Sequence, residues 1–185
     1  MSRRTSAETR EHVLRVAREL FYWHGVRATG VDAVAGAAAI APTTLYRLFA
    51  SKDDLVAAYV EREARGYREW FDAAVAGAPG DPRARILAVF DALAEMVRPE
   101  HCRGCPFQMA LAELPDPGSP AQEHAIASKA WVRERFRELA GDPELGDRLA
   151  LLMEGVYASV MALGDDGPAR EARAIAELLL TRRTA

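Results

Sequence analysis

The fold of this chain is decided by residues 42–55, PTTLYRLFASKDDL. Proline is favoured at the first position of a helix, so Pro42 predicts the start of a short helix that ends at Phe49. Ser51 and Asp54 have the spacing of a capping box, which predicts the start of a long helix of about 25 residues. A helix that enters the DNA major groove, about 12 Å wide, must be short and without acidic side chains. The short helix meets both conditions.

Two further helices are predicted before this stretch. Thr5 and Glu8 form another capping box, and apolar residues follow at helical spacing up to Gly25, where a helix would end. A short alanine-rich segment, residues 31–38, then precedes a turn at Ala39. Three helices with a tight second turn predict a helix-turn-helix. An ordinary three-helix corner is the alternative that the pattern alone leaves open.

The rest of the chain is also predicted to be helical. Apolar residues recur at helical spacing, and no segment shows the sustained alternation of a strand. Breaks at Pro and Gly residues predict further helices at about 83–97, 107–114, 119–140, 144–163 and 168–182. We therefore predict an all-α fold of about nine helices, with one domain at residues 1–55 and a second at residues 56–185.

The composition excludes several classes of protein. Half of the 185 residues are apolar, enough for one compact unit or two small subdomains. No apolar run approaches the roughly 20 residues of a membrane span, and residues 1–5 do not resemble a secretory signal. Two cysteines cannot form a disulfide scaffold, so we expect a cytoplasmic protein. The motifs of α/β-hydrolases, P-loop and dinucleotide-binding proteins and zinc proteases are absent, so we do not expect an enzyme.

The charge is unevenly distributed along the chain. Residues 1–55 carry 8 Lys and Arg against 6 Asp and Glu, whereas residues 56–185 carry 16 against 21. A local basic patch is enough to attract phosphate groups, even when the net charge is −3. The basic end therefore coincides with the predicted helix-turn-helix.

A specific set of residues lies in this basic end. Its members are ARELF at 17–21, His24, Gly25, Thr29, VDAVA at 31–35, Ile40, TLYRLF at 44–49 and SKDDL at 51–55. They resemble the signature of the TetR family of transcriptional regulators, over about residues 8–56. The resemblance implies an N-terminal domain that binds double-stranded DNA at a pseudo-palindromic operator. It also implies a homodimer, usually a repressor, whose C-terminal helical domain binds a small effector molecule that releases the DNA.

The resemblance also implies a set of DNA contacts. Thr29 and Lys52 would contact phosphates before the second helix and at the start of the fourth. Arg47 stands where the family often has His, and would keep a phosphate contact. Hydroxyl groups and cations suit phosphate oxygens, whereas bases are read by the exposed first turn of the recognition helix. The implied DNA-binding residues are Thr29, Pro42, Thr43, Thr44, Tyr46, Arg47 and Lys52.

Two positions depart from the family pattern. Ala39 stands where the family usually has Gly; a positive φ there would place about 1 kcal/mol of strain in the turn. Ala41 stands where a polar residue usually caps the helix, so the helix lacks a capping hydrogen bond that would stabilise it by about 1 kcal/mol. Neither change removes a charge that faces DNA.

The second domain contains many large apolar residues, which we expect to be mostly core. By resemblance to the family's effector domains, some should line an apolar ligand cavity. The candidates for this cavity are Trp70, Phe90, Phe107, Trp131, Met153 and Tyr157.

Apolar stripes on the last two helices predict an interface with a second copy of the chain, because helix-turn-helix proteins read two half-sites about 34–36 Å apart. The candidates for the interface are Leu152, Val156, Val160, Leu163, Ile175, Leu178 and Leu179. Burial within the monomer is the alternative for these stripes.

The two cysteines, Cys102 and Cys105, are three residues apart in one loop. This spacing also occurs in redox couples, and His101 and His124 would be needed to complete a zinc site. GCPF at 104–107, followed by a Glu-x-Pro-Asp-Pro motif, resembles a loop and helix of one branch of TetR effector domains, where the cysteine appears in a structural role. We therefore expect no metal and no cofactor. The alternative is a redox- or metal-responsive regulator, or a helical thiol oxidoreductase or ligand carrier, that uses the two cysteines.

Overall fold

The structure, a computed structural model, describes residues 5–114 and 116–181. Over these residues it is all-α, as predicted, with nine helices and no strand. The helices are α1 Ser6–His24, α2 Val31–Ala37, α3 Pro42–Leu48, α4 Lys52–Ala76, α5 Pro82–Met96, α6 Pro106–Glu113, α7 Pro120–Ala140, α8 Pro143–Leu163 and α9 Gly167–Thr181. The predicted bounds hold to within one or two residues, except that residue 182 lies outside the described part.

The predicted caps explain where two of the helices begin. The Thr5 hydroxyl accepts a hydrogen bond from the Glu8 amide, and the Glu8 carboxylate accepts one from the Thr5 amide at 2.7 Å. Before α4, the Ser51 hydroxyl accepts from the Asp54 amide at 3.0 Å and donates to the Asp54 carboxylate. Local sequence therefore fixes both starts.

The chain packs as two compact units. The head unit comprises Met1–Arg65 and Pro106–Ile126, and the body unit comprises Gly66–Cys105 and Ala127–Ala185, each as far as it is described. The head unit thus combines α1, α2, α3 and the first part of α4 with α6 and the start of α7. This division reflects packing; the functional boundary near residue 55 stays a prediction.

The core of the head unit holds α3 in place. Val13 and Phe21 of α1, Leu45 of α3 and Leu55 and Tyr59 of α4 are all buried, and the rings of Phe21 and Tyr59 meet edge to face at 5.4 Å. Burying one such side chain contributes about 1.5–3 kcal/mol. The apolar face of the head unit therefore determines which side of α3 remains exposed.

Ion pairs add to the contact between α1 and α4. Arg62 donates to the Glu11 carboxylate at 2.7 Å, and Arg18 lies 3.5 Å from Glu63. Burial raises the pKa of the Glu63 carboxyl, even though Arg18 and Arg62 lie beside it.

The core of the body unit is an aromatic cluster around Phe71. The Phe71 ring meets Trp131 at 5.5 Å and Phe136 at 5.3 Å, both edge to face, and Phe136 stacks on Phe90 at 5.8 Å. Such aromatic pairs add about 0.5–1.5 kcal/mol each beyond their burial. The four rings join α4, α5 and α7 in one core.

Helices α7 and α8 approach each other closely at Gly146. A Cβ atom placed on Gly146 would lie 2.5 Å from both the backbone N and the Cα of Arg137. Beside this contact, the Asp147 carboxylate accepts bidentate hydrogen bonds from Arg137 and from Arg133, which lower its pKa. Only a residue without a side chain fits at position 146.

In the described part of the chain, no helix has both the length and the apolar character needed to cross a bilayer.

Candidate nucleic-acid interface

Helix α3 has one buried face and one exposed face. Leu45 is 1% exposed and Phe49, which follows the helix, is 3% exposed. The opposite face presents Thr43, Tyr46, which is 49% exposed, and Arg47. The structure therefore leaves a phenol, a hydroxyl and a guanidinium accessible on a helix without an acidic residue.

The remaining predicted residues of α3 lie at its start. Pro42 is exposed at the first helical position, and Thr44 is half-buried. Ala41 has an extended backbone and makes no side-chain cap, as predicted, so that α3 begins without one. Its carbonyl still accepts from the Thr44 amide at 2.9 Å, which closes the first turn.

The turn between α2 and α3 contains the strained residue that the sequence suggested. Ala39 has φ +53°, the one positive φ at a residue other than Gly in the described chain. Its amide donates to Gly36 O at 3.0 Å, and the Ile40 amide donates to Ala35 O at 3.0 Å. His12 Nε2 donates to Ala38 O at 3.0 Å, since a carbonyl oxygen can only accept. These bonds hold the turn in the left-handed region.

Lys52 lies at the first residue of α4, half-exposed. Its Nζ donates to the Arg27 carbonyl at 3.3 Å. An ammonium group has three protons, so this contact leaves donor capacity for an anion. Arg27 itself is exposed in the same region, and the sequence analysis did not single it out.

Thr29 differs from the other predicted contacts. Its side chain is 5% exposed, and its hydroxyl donates to Gly25 O at 2.8 Å. A phosphate oxygen needs a donor, and the one proton of this hydroxyl is already used within the protein. The Thr29 side chain therefore stabilises the α1–α2 turn through this bond. A phosphate contact at this position would have to come from the Thr29 backbone.

A contact that was not predicted from the sequence joins α6 to the α1–α2 turn. Glu113, the last residue of α6, accepts a hydrogen bond from the Arg27 amide at 2.9 Å. Its carboxylate also lies about 3.0 Å from the position that a Cβ on Gly25 would take. Gly25 has φ +91°, so the backbone conformation requires glycine there, and a larger residue would also displace the Glu113 carboxylate. The Glu-x-Pro-Asp-Pro motif that begins with Glu113 was the available signal.

Five of the candidate ligand residues lie in two adjoining groups of the body unit. Trp70, Phe90 and Trp131 belong to the aromatic cluster around Phe71. Met153 and Tyr157 adjoin Tyr67, whose hydroxyl lies 3.2 Å from both the Met153 sulfur and the Tyr157 hydroxyl. The centre of the Tyr67 ring lies 5.1 Å from that of Trp70, so the two groups are in contact.

Phe107, the sixth candidate, is buried and belongs to the head unit. A common cavity for all six therefore stays a prediction.

The candidate dimer residues lie beside an apolar groove between α8 and α9. The groove has a volume of about 430 Å³, and Leu152, Val156, Ile175 and Leu179 line it. Val156, which lines the groove, and Val160 are 2% and 1% exposed, so the alternative of burial in the monomer applies to both.

Exposed apolar residues continue this surface beyond the groove. Leu163 and Leu178 are exposed, as the interface prediction requires. Leu151, which lines the groove and is 73% exposed, and Met161 are exposed too, and neither is among the predicted residues. Which of these residues a second copy covers stays a prediction.

Both cysteines are buried thiols in the body unit, before α6. The Cys102 sulfur lies 3.9 Å from Gly104 O, and Lys129 Nζ donates to the Cys105 sulfur at 2.9 Å. Within residues 5–114 and 116–181, no three His, Cys, Asp or Glu side chains are grouped so that they could hold a metal ion.

Comparisons with known proteins agree with this geometry. The family model described as "Bacterial regulatory proteins, tetR family" matches residues 13–59. A TetR-family transcriptional regulator from Streptomyces coelicolor is 28% identical over 95% of this chain and 96% of its own, with a TM-score of 0.89. A putative TetR transcriptional regulator from Streptomyces avermitilis is 30% identical over 91% of this chain and 98% of its own, with a TM-score of 0.75.

A third solved structure, a TetR transcriptional regulator from Chloroflexus aurantiacus, is 28% identical over 95% of this chain and 96% of its own, with a TM-score of 0.81. A search of curated proteins gives no significant match. The family model runs from the middle of α1 to the first part of α4, and the similar structures extend over nearly all of each chain. The chain belongs to the TetR family of transcriptional regulators.

Proposed function

We propose that this regulator is a repressor that binds a pseudo-palindromic operator as a homodimer and releases it when a small molecule binds the body unit. The exposed, acid-free face of α3 carries the proposal, because its buried side fixes Tyr46 and Arg47 outward. The protein acts by binding, without an enzymatic step, and works in the cytoplasm where its DNA lies.

The proposed DNA contacts divide by chemistry. Thr43, Thr44 and Tyr46 lie on α3, where hydroxyl groups can reach base edges and phosphates in the major groove. Arg47 and Lys52 supply cations for the phosphate backbone, and Pro42 sets the direction of the first turn. Thr29 supports the turn before α2.

The groove between α8 and α9 supports the proposed homodimer. Its apolar lining, together with exposed leucines on both helices, is the kind of surface that an isologous four-helix interface covers. Gly155 lies in this groove, and a Cβ placed on it would meet no atom within 4 Å. The glycine therefore leaves room for a second helix to approach.

An operator-binding assay tests the proposal. Fluorescence anisotropy with DNA flanking the protein's own gene, at several salt concentrations, should show nanomolar binding that weakens as salt increases. Arg47→Ala and Lys52→Ala should each reduce the slope of log K against log salt by about 0.9, the value for one phosphate contact. Arg85→Ala, which removes an exposed cation of the body unit, is the matched control. Salt slopes that are equal in all four proteins would contradict the assigned contacts.

The oligomeric state tests the dimer separately. Gly155→Glu places a charged side chain in the groove without a clash inside the monomer, so we expect sedimentation velocity to show a monomer. Gly66→Glu, at an exposed helical glycine with equal space, should remain a dimer. A dimeric Gly155→Glu protein would place the interface elsewhere.

For the effector we propose a small, mostly apolar molecule bound among residues of the body unit. Aromatic rings and flexible methionines suit such ligands, and Trp70, Trp131, Met153 and Tyr157 supply both there. Titration of the operator complex with a panel of hydrophobic compounds tests this step. Quenching of tryptophan fluorescence should accompany release.

A further inference from the structure

Two basic residues of the head unit lie next to each other at the edge of the proposed DNA interface. Lys52, at the start of α4, donates from its ammonium to the Arg27 carbonyl at 3.3 Å. Arg27 is exposed and lies in the α1–α2 turn, shortly before α2 begins at Val31. In helix-turn-helix proteins, the helix that precedes the recognition helix crosses the DNA backbone. The turn that leads into α2 is therefore close to the path of the phosphates.

The backbone of Arg27 is held from several sides. Its amide donates to the Glu113 carboxylate of α6 at 2.9 Å, and its carbonyl accepts from Lys52. Val26 and Thr29, on either side of it in the turn, are each 5% exposed. The two hydrogen bonds and the two buried neighbours fix the point at which the exposed side chain of Arg27 leaves the turn.

Among the described residues, the guanidinium of Arg27 has neither an ion-pair nor a hydrogen-bond partner. Other arginines of the head unit are bound within the protein. Arg10 lies over the Phe49 ring, 5.0 Å from its centre, and Arg18 and Arg62 pair with glutamates. The guanidinium of Arg27 therefore keeps its five N–H donors for an anion from outside the chain.

We propose that the Arg27 guanidinium binds a phosphate of the DNA next to the phosphate bound by Lys52, a role that rests on the proposed function. A guanidinium can donate to two phosphate oxygens at once, and it stays charged at any physiological pH. Successive phosphates of one strand are about 3.4 Å apart along the helix axis, so two adjacent cations can each meet one. The contact adds affinity for any duplex and carries no sequence information.

Glu113 is the positioning residue for this contact, and it lies outside residues 13–59, the part that the family model matches. Its carboxylate has two opposing effects. The negative charge repels phosphates, but salt screens this repulsion over about 8 Å at physiological ionic strength. The hydrogen bond to the Arg27 amide acts directly, at 2.9 Å, from a half-buried side chain. We therefore expect the positioning effect to be the larger of the two.

Binding to a random-sequence duplex and to the DNA flanking the protein's own gene tests the contact. Arg27→Ala should reduce the slope of log K against log salt by about 0.9 on both duplexes, and weaken binding about fivefold at physiological ionic strength. Arg27→Lys keeps the charge and should keep the slope. Arg65→Ala, the matched control, removes an exposed cation about 20 Å along α4 from Lys52 and should change neither quantity. An unchanged slope in Arg27→Ala would overturn the proposal.

Two variants of Glu113 separate positioning from charge. Both Glu113→Gln and Glu113→Ala remove the negative charge, but glutamine keeps a carbonyl acceptor for the Arg27 amide. We expect Glu113→Gln to bind DNA at least as tightly as wild type, and Glu113→Ala to bind about threefold more weakly. In the Arg27→Ala background, the two Glu113 variants should bind equally. Circular dichroism checks that each variant is folded. If Glu113→Ala binds more tightly than wild type, or changes affinity equally in both backgrounds, Glu113 does not position Arg27.

The random duplex separates this proposal from the proposed function. If wild type binds the flanking DNA no better than the random duplex, the operator assignment fails, and a reduced slope for Arg27→Ala on the random duplex still identifies the phosphate contact. If wild type binds the flanking DNA tightly and Arg27→Ala keeps its slope on both duplexes, the proposed function stands and the Arg27 contact is wrong. If wild type binds neither duplex at low salt, both are wrong.

Discussion

Replacing Gly146 with Ala tests the close packing of α7 and α8. The added methyl carbon would lie 2.5 Å from the backbone N and Cα of Arg137, about 1 Å closer than ordinary contact. Overpacking in a core typically costs about 1–3 kcal/mol. Because backbone atoms cannot rotate away as a side chain can, we expect the clash to cost about 3 kcal/mol of stability. The better helix propensity of Ala returns about 1 kcal/mol, which leaves a net loss of about 2 kcal/mol. For a chain of this size, the melting temperature should fall by about 4–8 °C.

The matched control is Gly66→Ala, in the exposed interior of α4. A Cβ there meets no atom within 4 Å, so only the gain in helix propensity of about 1 kcal/mol remains. The two substitutions are chemically identical and should change stability in opposite directions. Urea denaturation at fixed protein concentration measures both. A Gly146→Ala protein that is as stable as Gly66→Ala would refute the inferred approach of the two helices.

Three further predictions concern the turns and the surface. Ala39→Gly should stabilise the protein by about 0.5–1 kcal/mol in urea denaturation, because relief of the positive φ exceeds the entropy cost of glycine; a loss of stability would contradict the strained turn. Arg133 and Arg137 lower the pKa of Asp147 in the folded state. The ionised carboxylate therefore contributes fully to folding stability above about pH 5, and this contribution declines as the pH falls below about 4. Asp147→Asn should therefore be less stable than wild type at neutral pH, and the difference in free energy of unfolding should shrink in acid. A difference that does not change with pH would show that ionisation of this carboxylate does not stabilise the fold. Glu113→Ala should lose about 1 kcal/mol and Glu113→Gln, which keeps an acceptor for the same amide, about half of that; equal losses would show that the acceptor oxygen is not what matters.

Signals that act over a few residues allowed the helices to be predicted. The capping boxes at Thr5 and Ser51 and the proline at position 42 set helix starts through bonds spanning three or four residues. The exposed face of α3 was also predictable, because Leu45 and Phe49, the residue after the helix, are large, apolar and four residues apart, and so lie on one side. These features need no knowledge of the rest of the fold.

Contacts between distant parts of the chain could not be predicted in the same way. The Glu113–Arg27 bond joins residues 86 apart, and no local pattern specifies it. Thr29 was assigned from the family pattern, whereas its burial depends on how the α1–α2 turn packs. The exposed side of α8 could not be read from the sequence because apolar residues occupy most of its circumference. Only the packed structure shows that Val160 faces inward while Leu151 faces outward.

The discontinuous head unit sets a rule for building chimaeric regulators from this protein. Cutting the chain once after residue 65 would remove α6 and, with it, the carboxylate that binds the Arg27 amide. A graft that transfers residues 1–65 alone would leave that turn without the partner it has in this protein. Transplanting residues 106–126 together with the N-terminal segment moves the complete head unit.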